Sequence, residues 1–273
     1  MANIITDLQK NPRETLEKGL SKIKYLPLLN RILKIEDTYD LLLRTEKKIE
    51  QKGLTSAFVD AFNDFGIKCD IVGAENVPSE KGTIYVSNHP YGIPEGVIAL
   101  GLFSELIEQR RKEIKVIGAE ILKVVRGIEQ RVIFVGLHGD SDFSQLREIR
   151  KALNEGDLFF YPSADLSGYR LKEAPWKNGF GKIAKHATSI VPIWISGPDH
   201  GLMYNLCAKY GLENVRDVFA PREAWNKAGE TLTWIIGKPI PKETLNAFSD
   251  NNGKLTQYVR EKAEELSLDY KAA

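Results

Sequence analysis

Val86-Ser87-Asn88-His89-Pro90-Tyr91-Gly92-Ile93-Pro94-Glu95-Gly96 is the stretch that decides the fold. A short β-prone run ends at Ser87, a turn dense in Gly and Pro follows, and an apolar-periodic helix opens near Glu95. His89 therefore falls on a strand-to-helix turn, where ligand sites gather in open α/β sheets. Glu95 lies in the first helical turn, where the helix dipole favours its ionised form. A carboxylate six residues after a loop histidine can fold back on the imidazole, fix its tautomer and stabilise the imidazolium. Spacing alone leaves a plainer alternative open: a loop histidine bonded to backbone, beside an ordinary first-turn acid.

Working outward, Ile67–Val72 and Thr83–Ser87 read as strands, and Glu95–Glu108 reads as a helix carrying Val97, Ile98, Leu102, Leu106 and Ile107. Lys115–Ile117, Arg131–Leu137, Asp157–Tyr161, Ile190–Ser196 and Thr231–Ile236 read as further strands, the last of them as the final one. Asp142 is a good N-cap for a helix with Phe143, Leu146, Ile149 and Leu153 that stops at Gly156. A short helix is expected around Phe180–His186, a helix start at Asp199-His200, and a polar closing helix over Lys254–Leu268. Upstream, residues 13–24, 37–51 and 54–65 have helical spacing, with Pro27 breaking the first pattern and Gly66 stopping the third. Strands alternating with helices predict an α/β fold with a mainly parallel central sheet flanked by helices. Residues 1–65 form an N-terminal all-helical segment and residues 66–273 the α/β domain.

The chain has 273 residues, 27% charged and 42% hydrophobic, which is globular composition with enough length to bury a core without disulfides or metals. Its two cysteines, Cys69 and Cys207, make no disulfide framework, so a reducing cytoplasm is expected. With 38 basic and 37 acidic residues, nothing global asks for nucleic acid. No run approaches the roughly 18 apolar residues of a membrane span. Met1–Lys10 contains Asp7 and lacks a secretory apolar core, so no signal peptide is expected. Residues 1–35 carry seven basic and three acidic side chains. That segment either lies on an anionic membrane surface, with Leu16, Leu20 and Ile23 inward, or docks on the protein's own core. Docking is preferred, because Glu14 and Glu17 interrupt the basic face.

Several blocks in order carry a resemblance to a known family. Asn88-His89-Pro90-x-Gly92-x-x-Glu95-Gly96 resembles the signature of the lysophospholipid acyltransferase superfamily, and is most similar to the bacterial branch often labelled hemolysin-like, which includes acyltransferases of ornithine-type lipids. Gly73-Ala74-Glu75-Asn76-Val77-Pro78 and Gly82-Thr83-Ile84-Tyr85-Val86 are similar to its lead-in. Phe160-Tyr161-Pro162-Ser163-Ala164-Asp165-Leu166-Ser167 is similar to its FPxGEVS-type block, Pro175-Trp176-Lys177-Asn178-Gly179-Phe180 to its PWKxGF block, and Val191-Pro192-Ile193 to its VPV-type strand. The likeness spans about residues 67–200. Three departures stand out: the acid falls at Glu95 with Pro94 before it, Ala164-Asp165 replaces the usual Gly-Glu, and Ile93 replaces a second Gly. Ala adopts left-handed backbone only at a cost, so the loop at 164 is expected to be shaped differently.

The resemblance implies acyl transfer from acyl-CoA or an acyl carrier protein to the hydroxyl of a lysophospholipid or lyso-aminolipid, with no cofactor. His89 would be the general base and Glu95 its orienting partner, with Asn88 and Gly92 among the substrate-binding residues. Ser163, Asp165 and Ser167 match the block lining the acceptor, the alternative being a strand-end turn with local bonding. Lys177 is either a headgroup contact or a solvated lysine, and Trp176 is read as packing. Backbone N–H groups of Tyr91–Gly96 are the expected oxyanion donors. No GxSxG elbow offers a nucleophile. His138-Gly139-Asp140 is read as turn capping rather than a metal site, and His186 as solvated. The expected location is cytoplasmic, with peripheral contact on the inner face of the cell membrane. Rival readings are a protein of the same fold that binds lipid or acyl-thioester without turnover, to which Ile93, Pro94 and Ala164 point, and a thioesterase using the same His89–Glu95 pair.

Overall fold

The computed structural model describes residues 13–15, 17–18, 27–110, 112–136, 143–248 and 250–272. Helices α1 (Pro27–Leu33), α2 (Ile35–Lys52) and α3 (Leu54–Phe65) come first. Gly53 separates α2 from α3 at φ 86°, and Gly66 stops α3 at φ 67°, both in the region glycine reaches without penalty. Strands β1 (Lys68–Val72) and β2 (Thr83–Ser87) follow. Helix α4 (Ile93–Ile98) continues through a π-helical segment, Ala99–Phe103, into α5 (Ser104–Glu108). Then come β3 (Ile114–Ala119), β4 (Val132–Val135), α6 (Phe143–Glu155), β5 (Asp157–Phe160), α7 (Gly179–Ala184) and β6 (Ser189–Ser196). Three short helices, α8 (Leu202–Lys209), α9 (Glu213–Val218) and α10 (Ala220–Trp225), lead to β7 (Thr231–Ile236) and β8 (Ile240–Pro241). Helices α11 (Lys242–Asn246) and α12 (Asn252–Ala272) close the chain.

The sheet order is β1-β7-β6-β2-β5-β3-β4, with β8 pairing β6. All pairings are parallel except those of β6 with β7 and β8, so the mainly parallel α/β sheet is present. Both faces are covered, as parallel sheets require. Tyr85 of β2, Phe159 of β5 and Trp234 of β7 point to one face, where Phe58 and Phe62 of α3 meet Phe103 and Ile107. Ile84 and Val86 point to the other, against Ile149 of α6, Phe180 and Ile183 of α7, and Leu255 and Val259 of α12. Helices α2 and α3 thus share a core with the sheet.

Several expectations need correction. The last strand is β8, a two-residue pairing of Ile190 with Ile240 and Ser189 with Pro241, too short to show alternation. The helix after His89 opens at Ile93, because Gly92 can take the N-cap conformation and Pro94 suits a first turn. The helix near residue 200 begins at Leu202, and Asp199 instead accepts the His200 N–H. Residues 13–15 and 17–18 are helical. Leu16, Leu20, Ile23, Leu137, the His138–Asp140 turn and Asp142 lie outside the described residues. Arg13 pairs with Glu46 of α2, and Glu17 accepts from Tyr39 of α2, which suits docking on the protein's own helices.

Candidate active site

The site is built where β2 and β5 end. After Ser87 the chain turns out of the sheet, and Asn88 turns its buried side chain back in. Its amide donates to the carbonyl of Ile195 (2.9 Å) and accepts from the N–H of Ile195 (2.7 Å). This pairing extends the β2–β6 contact beyond Ser87↔Ile193 and fixes where the loop leaves. His89 is then held at both backbone groups: its N–H donates to Glu173 (3.1 Å) and its carbonyl accepts from the Ser167 N–H (2.8 Å).

His89 Nδ1 lies 2.9 Å from Glu95 Oε1, and the imidazole keeps 20% of its surface open while the carboxylate is fully buried. The contact is short but off the direction of the ring N–H, so it is chiefly coulombic. Glu95 Oε1 also accepts from the N–H groups of Tyr91 (2.6 Å) and Gly92 (2.5 Å). One oxygen therefore gathers the loop, and the imidazole, around the start of α4. The ring of Tyr161, at the end of β5, stacks on His89 at 4.2 Å and 20°, and its hydroxyl donates to the Glu95 carbonyl (3.1 Å). Burial pulls the imidazole pKa down, but the Glu95 charge and its contact with Nδ1, with Glu173 and Asp165 behind them, raise it above the ordinary value. Burial, then the Glu95 charge, hold the Tyr161 hydroxyl well above the usual phenol range, so it stays a neutral donor.

The other expected site residues divide. Gly92 sits at φ 70° and ψ −99°, a conformation that calls for glycine, and a Cβ there would press on a Leu166 methyl at 3.1 Å. Ser163 and Ser167 are fully buried and bonded inward, Ser163 to the Asp165 carbonyl (2.9 Å) and Ser167 to Glu173 (2.8 Å). Asp165 and Lys177 form an ion pair at 2.9 Å, with side chains 44% and 47% exposed. Ala164 takes φ 55°, a left-handed conformation that alanine adopts only at a cost. Trp176 is buried, and His186 is exposed beside Arg150. Three N–H groups expected to serve an oxyanion are engaged: those of Tyr91 and Gly92 with Glu95, and that of Gly96 with the Gly92 carbonyl.

Three residues of the site escaped sequence reasoning. Glu173 accepts from the His89 N–H, the Ser167 hydroxyl and the Trp176 indole, and burial raises its pKa against those lowering bonds. Its one signal was a tryptophan three residues on, which when buried needs an acceptor. Tyr161 falls within the Phe160–Ser167 stretch, where nothing local signals that its ring faces His89. His200 is buried, with Nε2 2.8 Å from the carbonyl of Pro90 and Nδ1 3.5 Å from Glu223, so a second imidazole–carboxylate pair backs the loop of the first.

An imidazole with one nitrogen against a buried carboxylate and a fifth of its surface open can take a proton from a hydroxyl and return it. Burial pushes the thiol of Cys69 up to about 12, away from nucleophile chemistry. Among the described residues no three His, Cys, Asp or Glu side chains form a group that could hold a metal ion. Fold and site thus define an α/β protein with a buried imidazole–carboxylate pair where its parallel strands end. The sequence profile of the family described as Acyltransferase matches residues 14–272, and the chain belongs to that family.

The chain is similar to the lyso-glycine lipid O-acyltransferase of Phocaeicola vulgatus, 27% identical over 246 residues that cover 84% of this chain and 85% of that protein. It is also similar to the lyso-glycine lipid O-acyltransferase of Bacteroides thetaiotaomicron, 25% identical over 258 residues, 89% and 92% of the two chains. A solved structure, the 1-acyl-sn-glycerophosphate acyltransferase PlsC from Thermotoga maritima, aligns with 97% of this chain and 98% of its own, at 18% identity and a TM-score of 0.49.

Proposed function

We propose that this acyltransferase moves a fatty acyl group from an acyl thioester, on coenzyme A or a carrier protein, to the hydroxyl of a lyso-aminolipid, with His89 as general base. The observation that carries the mechanism is the His89–Glu95 contact of 2.9 Å, with the ring still one-fifth open. The two relatives, both lyso-glycine lipid O-acyltransferases, support the aminolipid acceptor over a phospholipid one.

With Nδ1 turned to Glu95, Nε2 takes the proton of the acceptor hydroxyl. The oxygen attacks the thioester carbonyl, and Glu95 stabilises the imidazolium. As the tetrahedral intermediate collapses, the C–S bond breaks, the imidazolium returns its proton to the departing sulfur, and ester and free thiol leave. Glu173 and Tyr161 hold the ring in place. The exposed Lys177 takes the acceptor's acidic headgroup in place of Asp165. The reaction occurs at the inner surface of the cell membrane.

The test is thiol release from long-chain acyl-CoA and acyl carrier protein, with and without lyso-aminolipid and lysophospholipid acceptors. Release stimulated by a lyso-aminolipid and reduced about 10²-fold or more in His89→Ala is expected. Release that no acceptor accelerates would make the protein a thioesterase, and thioester binding without release would make it a binding protein.

A further inference from the structure

Thirteen large apolar side chains are exposed among the described residues, and seven of them fall between 202 and 218. Scattered singly, such residues need no explanation, but gathered on one surface they mark a place of interaction. On α8, Leu202 is 75% and Met203 49% exposed, with Leu206 on the next turn and Tyr210, 68% exposed, a turn further on. Tyr204 and Cys207 of the same helix face inward. Leu212 and Val215 continue the surface onto α9, which packs against α8. Helix α8 therefore turns apolar side chains to both sides, which a water-facing helix of a globular domain does not do.

The rim of this surface is basic. Arg170, Lys172 and Lys209 are exposed around it. The Lys209 ammonium lies 5.6 Å from the Tyr210 ring and 5.9 Å from that of Tyr169, and the Arg170 guanidinium 5.4 Å from the latter. Against them stands Glu213, since Asp217 is paired with Arg216. Leucines to insert, tyrosines with one wet end, and flexible cations around them suit the boundary between headgroups and acyl chains.

The surface is also continuous with the site. The Arg170 N–H donates to Asn205 of α8 (3.0 Å), and Arg170 belongs to the loop in which Ser167 and Glu173 grip the backbone of His89. We infer that α8, α9 and the turn at Tyr169–Leu171 form the surface by which the protein docks on an anionic lipid bilayer, bringing the His89 loop to the membrane. The inference rests on the lyso-lipid reading for its purpose, and gives the expected peripheral contact a surface other than residues 1–35.

Flotation with vesicles of phosphatidylglycerol and phosphatidylcholine tests it. The wild-type chain should float with anionic vesicles, more weakly at high salt, and the His89→Ala variant equally well. A Leu202→Ser, Leu206→Ser, Tyr210→Ser variant, its fold checked by circular dichroism and thermal melting, should lose at least about 10-fold in vesicle binding. It should also lose turnover of a vesicle-borne acceptor while keeping turnover of a short-chain, monomeric one. Flotation of that variant at the wild-type level, or no flotation of the wild type, would overturn the proposal. So would light scattering showing a dimer that dissociates in the variant while vesicles bind neither. Flotation of the wild type without acyl transfer to any acceptor would instead count against the proposed reaction and leave the surface standing.

Discussion

At His89 opposing influences act on one proton. Burial favours the neutral ring, and the nearby carboxylates of Glu95, Glu173 and Asp165 favour the charged one, with the carboxylates prevailing. A general base works neutral, so the acid limb of the pH–rate profile should lie above the ordinary imidazole range. Glu95→Gln removes the largest raising influence, so the limb should move to lower pH while the maximal rate falls about 10²-fold or more. Measuring kcat/KM across pH for both proteins checks this, and an unmoved limb would detach Glu95 from the proton. The same shift acts on stability. A raised folded-state pKa stabilises fully below the unfolded value, and this contribution is lost as pH rises through the folded one. The His89–Glu95 pair is legible in the sequence, because a six-residue step across a strand–helix turn returns the chain to its own loop. Glu173 is not, because it reaches His89 from 84 residues away and sits in an ordinary-looking Lys-Glu-Ala-Pro run.

The loop after β5 keeps its left-handed turn at Ala164 although alanine fits there poorly. Buried Ser163 on one side and Ser167 bonded to Glu173 on the other hold it so. Ala164→Gly should therefore raise stability by about 1 kcal/mol, the left-handed penalty less glycine's extra entropy, read as a shift in the urea midpoint with unchanged slope. Element boundaries were readable where pattern and stop signal agree, as for β2 and for α3 with Gly66. The three helices between 202 and 225 were not. Each spans eight residues or fewer, and on α8 apolar residues face outward, which blurs the periodicity. The π-helical segment was hidden too. There Gly101 lets α3 approach so closely that a Cβ would come within 2.8 Å of the Val59 nitrogen, a tertiary contact with no local signature.

Across the whole molecule, the sheet carries the His89–Glu95 pair at one end and a staple at the other. Asp157 opens β5, and its carboxylate pairs with Lys112 at 2.6 Å, both buried, while also accepting from the N–H of Thr83 at the start of β2. Burial raises the Asp157 pKa, against the lowering by Lys112, so the pair stands or falls together. Lys112→Met should cost about 3–5 kcal/mol by stranding the carboxylate, and Lys112→Met with Asp157→Asn should recover part of it. Urea unfolding would measure both, and the rate per folded molecule should hardly change, because His89 lies at the far end of β2. A loss of rate without a loss of stability would mean that the two ends communicate. The mainly parallel sheet was legible because alternating elements leave few arrangements. The antiparallel run of β7 beside β6 was not, since strand direction depends on the three short helices that turn the chain around.

Asn88 joins these scales. Its side chain stands in for a peptide group, offering Ile195 one donor and one acceptor as a neighbouring strand would. A variant at position 88 would therefore look like a dead catalyst in a screen of cell extracts while its defect lay in carpentry. Soluble yield and specific activity would have to be scored separately before any residue of the His89 turn is credited with chemistry.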